Sequence, residues 1–237
     1  MLDGVILVNK QRDITSYDVI RRLKRVLPKG QKIGHAGTLD PFAEGLLIIL
    51  LGKATKKMNY IHSMQKQYIV TAEFGYCTDT QDCTGRKLQE LDDLPIVSKE
   101  RIQDEISQKF LGEISQIPPI FSATKIHGRK AYEYARKGES VKLKEKVVTI
   151  SSFNILNYEW PFVEFDVVCS TGTYVRTLID DLGKSFGVYA TAVKLVRQRI
   201  GDFDLRDALD CAKISQNSVD VVTENILTLD DAFNEER

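Results

Sequence analysis

The segment Gly34-His35-Ala36-Gly37-Thr38-Leu39-Asp40-Pro41-Phe42-Ala43-Glu44-Gly45-Leu46-Leu47 packs three glycines, a histidine and an Asp-Pro step into one stretch. Glycine admits positive φ and close backbone approach, and proline drives the residue before it toward extended geometry, so Asp40 is held in a defined direction. A carboxylate fixed in this way can act as a nucleophile or a proton acceptor. It can also be half of an acid pair set across a sugar, with Asp79 or Asp82 as the second acid. A tight turn without chemistry is the plainer alternative. A phosphate-cradling loop fits poorly, because Gly34-x-x-Gly37 lacks the lysine and hydroxyl of the nucleotide loop. The four cysteines (Cys77, Cys83, Cys169, Cys211) form no CxxC pair and have no histidine at zinc spacing, so neither a disulfide nor a metal is expected.

The elements around this segment follow from periodicity. An apolar run at 5–8 predicts a strand, Thr15 and Ser16 are cap candidates, and Val19, Ile20, Leu23, Val26 and Leu27 recur at helical spacing until Pro28 to Gly30. Residues 34–41 then read as a polar loop, 46–51 as a buried strand and 53–64 as a lysine-bearing helix. Tyr68, Val70, Ala72 and Phe74 alternate as in a strand, and Ser98 opens a helix carrying Ile102, Ile106 and Phe110. Residues 117–144 contain Pro118, Pro119 and a lysine-rich helical stretch. Val163, Phe165, Val167 and Cys169 alternate before a helix at 174–186. Strand and helix mix without a regular βαβ rhythm, which predicts an α+β fold with a mixed, largely antiparallel central sheet flanked by helices and loops.

With 237 residues, 43% hydrophobic and 28% charged, the chain can bury a core as one large domain or two small ones. Its longest aliphatic run, 46–51, is far short of the roughly 20 residues a membrane span needs. The start also lacks the basic flank of a targeting signal, so a cytoplasmic protein is expected. The formal charge of zero hides an asymmetry. Residues 201–237 hold ten acids against three bases, leaving 23 acids and 30 bases in residues 1–200. Arg21, Arg22, Lys24, Arg25, Lys29 and Lys32 fall in an acid-free stretch. A second basic group comprises Lys125, Arg129, Lys130, Arg136, Lys137, Lys142, Lys144 and Lys146. Such a body suits phosphate neutralisation, though solvated basic faces would read the same way.

The segment around Asp40 closely resembles the loop GHxGxLDPxAxGxL that carries the catalytic aspartate in the TruB family of tRNA pseudouridine synthases. Further matches in the same order are Lys66-Gln67-Tyr68, Thr78-Asp79-Thr80-Gln81-Asp82 with Gly85, and Ile117-Pro118-Pro119 with Ser122-Ala123 and Tyr132-Glu133-Tyr134-Ala135-Arg136. The last is Gly172-Thr173-Tyr174-Val175-Arg176-Thr177 with Asp180-Asp181-Leu182-Gly183. The resemblance implies a pseudouridine synthase fold, with a catalytic domain over 1–200 that includes an RNA-clasping insertion at 117–146. Residues 201–237 would be a short acidic extension in place of the PUA domain found in many relatives, with correspondingly weaker tRNA affinity. Where the family reads Lys-Pro-x-Gly-x-Thr-Ser near its start, this chain has Lys10, Gln11 and Asp13 before Thr15 and Ser16, a departure that touches no catalytic position.

The implied reaction is isomerisation of uridine 55 in the T loop of tRNA, with no metal and no cofactor. The resemblance makes Asp40 the catalytic carboxylate, paired with Arg176 across a long stretch of sequence, and Tyr68 the residue that stacks on the base and assists proton removal. Tyr174 and Leu195 match pocket walls, His35 the residue that fills the place of the flipped nucleotide, and Lys56 a phosphate contact. A monomer is expected, with the T arm of tRNA as partner. The rivals are an RNA-guided synthase, which depends on a PUA-type domain, a carboxylate hydrolase, and a non-catalytic tRNA-binding or folding module.

Overall fold

The computed structural model describes residues 1–122, 124–126, 128–135, 137–139, 141, 143–214 and 219–233. Ala123, Arg136 and Lys142, named above, lie outside the described residues. Along the chain run β1 (Gly4–Lys10), α1 (Ser16–Lys24), β2 (Ile33–Ala36), β3 (Glu44–Leu51), a 3-10 turn (Gly52–Lys57), α2 (Met58–Ser63) and β4 (Lys66–Phe74). There follow β5 (Tyr76–Thr78), β6 (Lys87–Glu90), α3 (Lys99–Lys109), β7 (Gly112–Gln116), β8 (Lys125–Ile126), β9 (Arg129–Lys130) and α4 (Ala131–Ala135). The chain continues through β10 (Lys146–Glu159), β11 (Phe162–Cys169), α5 (Val175–Ser185), β12 (Ala190–Ile200), β13 (Phe203–Asp204), β14 (Leu209–Asp210), α6 (Val219–Glu224) and α7 (Leu229–Phe233). This is the expected α+β mixture. Strand pairing is mostly antiparallel, and it is parallel where β1 meets β14 and β3 meets β12.

The chain forms two compact units, Met1–Tyr68 with Leu195–Arg237, and Ile69–Lys194. The division differs from the one read off the sequence, because residues 201–233 belong to the core of the first unit. In that unit β3 pairs with β1 from Gly45↔Lys10 to Leu51↔Gly4, and its other edge takes β2 at one end and β12 at the other. Alternation sends Leu47, Ile49 and Leu51 to one face, with Val19, Ile20 and Leu23 of α1 and with Leu209, Cys211 and Val222. Leu46, Ile48 and Leu50 point the other way, toward Ile61 of α2, Phe203 and Ala232. Both faces are covered, which is why the run 46–51 is aliphatic without interruption. Each such side chain contributes about 1.5–3 kcal/mol relative to exposure.

Helix α1 starts at a capping box, as Thr15 implies. The Asp18 N–H donates to the Thr15 hydroxyl at 3.1 Å, and the Thr15 N–H donates to the Asp18 carboxylate at 2.8 Å. It ends at Lys24, earlier than the apolar spacing suggested, while Val26 and Leu27 still pack on the same cluster. In the second unit β10 pairs antiparallel with β11 on one side and β7 on the other, with Phe153 and Phe165 edge to face at 5.0 Å. Ser98 caps α3 through the Arg101 N–H, and Ile102 and Ile106 are fully buried.

Candidate active site

Asp40 sits in the first unit, in a short connection between β2 and β3. The sequence reading made 34–41 one loop, but Gly34 to Ala36 belong to β2, whose polar residues pair with the aliphatic run of β3. The connection proper opens at Gly37, with φ at +83°. Leu39, Phe42 and Ala43 turn inward and anchor it, and the Ala43 N–H closes on the Asp40 carbonyl at 3.1 Å.

The neighbours of Asp40 are tied on both sides. Ser16, the first residue of α1, donates its hydroxyl to the Leu39 carbonyl at 3.1 Å and accepts from the Leu39 N–H at 2.9 Å. The Pro41 carbonyl accepts from the Asp13 N–H at 2.8 Å and from Lys10 Nζ at 3.3 Å. Asp40 itself is half-buried. Lys10 is fully buried, and its ammonium also donates to the carbonyls of Gln11 and Ile14, each at 2.8 Å. Burial pulls the Lys10 ammonium down to about 8, and the charge of Asp40 is the largest of those that hold it up. The segment from Lys10 to Ser16, set apart above from catalytic positions, is therefore what holds the Asp40 connection. The signal was present in Lys10, Thr15 and Ser16, but their reach across 23 to 31 residues is a property of the fold.

Four other expected residues lie in the same unit. His35 is half-buried on β2 opposite Ile49, and Lys56 is exposed in the 3-10 turn. Tyr68 is half-buried on β4, at whose start Lys66 donates to the His62 carbonyl at 2.6 Å and so ties the end of α2 to this strand. Leu195 is buried on β12.

The second unit holds Tyr174 and Arg176 together at the start of α5. Gln116 clamps the Tyr174 backbone, accepting from its N–H at 3.0 Å and donating to its carbonyl at 3.2 Å, while the Tyr174 hydroxyl meets Thr124 Oγ1 at 3.1 Å. The buried Arg176 guanidinium donates to the carbonyls of Thr80 and Phe121 and to Asp82 Oδ2 at 3.2 Å. Asp82 is buried as well. Its other oxygen accepts from the Thr80 hydroxyl at 2.9 Å and from Thr84 through N–H at 3.0 Å and hydroxyl at 2.5 Å.

Gln81 links the same turn to α5, donating to Asp180 at 2.8 Å and accepting from the Thr177 hydroxyl at 2.8 Å. Asp180, Asp181, Thr177 and Gln81 line a cleft of about 710 Å³. Within their own units Asp40 feels the charge of Lys10 and Arg176 pairs with Asp82. The sequence reading missed the Arg176–Asp82 pair, although Asp82 lay in a quoted motif, because nothing local says which cation a buried acid will meet. Among the described residues no cluster of three or more His, Cys, Asp or Glu could hold a metal ion.

Residues 24–175 match the family described as TruB family pseudouridylate synthase (N terminal domain). A protein named tRNA pseudouridine synthase B from Fusobacterium nucleatum is 43% identical over 204 residues, covering 86% of this chain and 70% of that protein. The protein of the same name from Caldicellulosiruptor saccharolyticus is 38% identical over 234 residues, covering 99% and 79%. Among solved structures, a chain of a Cbf5-Nop10-Gar1 complex is similar, with a TM-score of 0.67 and 27% identity over 87% of this chain, which spans 52% of that one.

Proposed function

The chain belongs to the TruB family of pseudouridylate synthases, and from that premise we propose that it converts uridine 55 in the T loop of tRNA to pseudouridine, with Asp40 as nucleophile. The observation that carries this reading is the Asp40 connection itself, gripped at Leu39 and Pro41 by α1 and Lys10. A carboxylate held so closely, beside a buried ammonium, is prepared to meet a reacting carbon in one orientation. Relatives from 38% to 43% identical bear the name of a tRNA enzyme, which favours tRNA as the substrate.

The reaction is an isomerisation, so its atoms balance without a co-reactant. The bond from ribose C1′ to N1 breaks, a bond from C1′ to C5 forms, C5 gives up a proton and N1 gains one. Asp40 supplies the electron pair that carries the ribose or base while it is detached. By the family match Arg176 is the arginine that serves the catalytic carboxylate, and within its own unit Asp82 orients its guanidinium. Tyr68 stacks on the base and assists loss of the C5 proton. By the family match Tyr174 and Leu195 each take the role of a residue that contacts the extruded base, His35 fills the space the nucleotide leaves, and Lys56 holds a phosphate. The protein acts as a cytoplasmic monomer on the T arm.

Incubation with an unmodified tRNA transcript tritiated at uridine C5 tests this reading. Tritium release by the parent protein and a loss of at least about a thousandfold in Asp40→Asn are expected. Binding of the transcript with no release by the parent would establish the non-catalytic module instead.

A further inference from the structure

Arg197 is one of the most deeply buried side chains of the first unit, 1% exposed, and the chemistry above gives it no part. It lies on β12, where that strand runs parallel to β3 with Arg197 in register with Gly45. The backbones meet closely. A Cβ on Gly45, whose φ is +102°, would fall 2.4 Å from the Arg197 carbonyl oxygen, so only glycine lets the strand approach. That approach delivers the guanidinium to the Asp40 connection. Nε donates to the Leu46 carbonyl at 2.7 Å and Nη2 to the Gly37 carbonyl at 2.9 Å. Gly37 opens the connection and Leu46 lies just past its close, so one rigid fork sets the distance between the two ends of the segment that displays Asp40. At Gly37, with φ at +83°, a Cβ would stand 3.3 Å from Nη1.

Among the described residues no carboxylate forms an ion pair with Arg197. A buried cation held by carbonyls alone carries a desolvation cost that an apolar side chain of similar length would avoid. For filling space, methionine would serve better. We infer that Arg197 is a positioning residue for catalysis, whose planar guanidinium holds Gly37 and Leu46 at the spacing that aims the Asp40 carboxylate at its target. The inference rests on the synthase reading. It adds that the aim of Asp40 is set by β12 through Gly37 and Leu46 as well as by the grip on Leu39 and Pro41.

The test compares the parent protein with Arg197→Met and Arg197→Lys in steady-state tritium release, with thermal melting of each. Arg197→Met is expected to lower kcat more than tenfold, with KM for tRNA changed less than twofold and the protein still folded at the assay temperature, its melting temperature lowered by the two carbonyls left without a donor. Arg197→Lys, which reaches one carbonyl but cannot span both, is expected to recover part of kcat. A kcat within twofold of the parent in Arg197→Met would overturn the inference, as would a loss that only follows the folded fraction. If Arg197→Met does not fold, Arg197→Lys decides: a lowered kcat at unchanged KM supports the role, and parental kcat overturns it. No release by the parent itself would overturn the synthase reading, and this inference with it.

Discussion

Asp13 occupies the place where the family pattern has glycine, and the backbone there keeps the conformation glycine would favour, with φ at +65°. Its N–H is one of the donors that hold Pro41, so the conformation persists although a side chain resists it. Asp13→Gly is expected to stabilise the protein by about 0.5–1 kcal/mol in chemical denaturation, since the N–H remains and the strain goes. Asp181 carries a different cost. Burial, and then repulsion from Asp180, push its carboxyl up to about 6. Between about pH 4 and 6 the native state keeps a proton the unfolded chain has lost, so stability falls as pH rises through that window. Asp181→Asn is expected to exceed the parent by about 1 kcal/mol at pH 7, after allowance for solvent screening, and to match it near pH 4. The motifs that carry Asp40 and Arg176 are distinctive in the sequence. Arg197 was not legible there, although it shares a strand face with Leu195, and a charge in phase with an apolar residue was the signal available.

At the scale of elements, the well-read parts are those whose patterning is local. The aliphatic run of β3 and the caps of α1 and α3 state their own structure. Gly34 and His35 have little strand preference and read as loop, and β2 becomes a strand only by pairing with β3 across the Asp40 connection. Exposed positions dilute the alternation of β7 and β10, and polar and charged residues interrupt the mostly buried run of β12. The join between α1 and the Asp40 connection is also tertiary. Ser16 is the first residue of the helix and the only side chain named above that bonds both the N–H and the carbonyl of Leu39. Ser16→Ala strands a buried N–H. It is expected to cost about 1–3 kcal/mol in denaturant unfolding and to lower tritium release at temperatures where the protein remains folded.

At the scale of the whole molecule, the composition after residue 200 reads as a short acidic extension, and its apolar residues are structural. Leu209, Cys211, Ile214 and Val222 complete one face of the first unit, and Phe203 and Ala232 the other. Arg22 of α1 donates to the Cys211 carbonyl at 3.1 Å, and β14 adds to the edge of β1. Charge dominates the composition of 201–237, while the sparse apolar positions decide its place. Leu209→Ala is expected to lower stability by about 2–4 kcal/mol, as for a core leucine, which urea unfolding would measure.

The first unit is assembled from two stretches of chain, with 69–194 between them. Its sheet lacks β12 and β14, and Asp40 lacks the brace of Arg197, until the last stretch has been made. On the ribosome the intervening unit is free to fold while the Asp40 unit waits for its second half. Catalytic competence then waits for residues 195–233, and a chain that stops short of them, however well its middle has folded, has no finished Asp40 site with which to engage RNA.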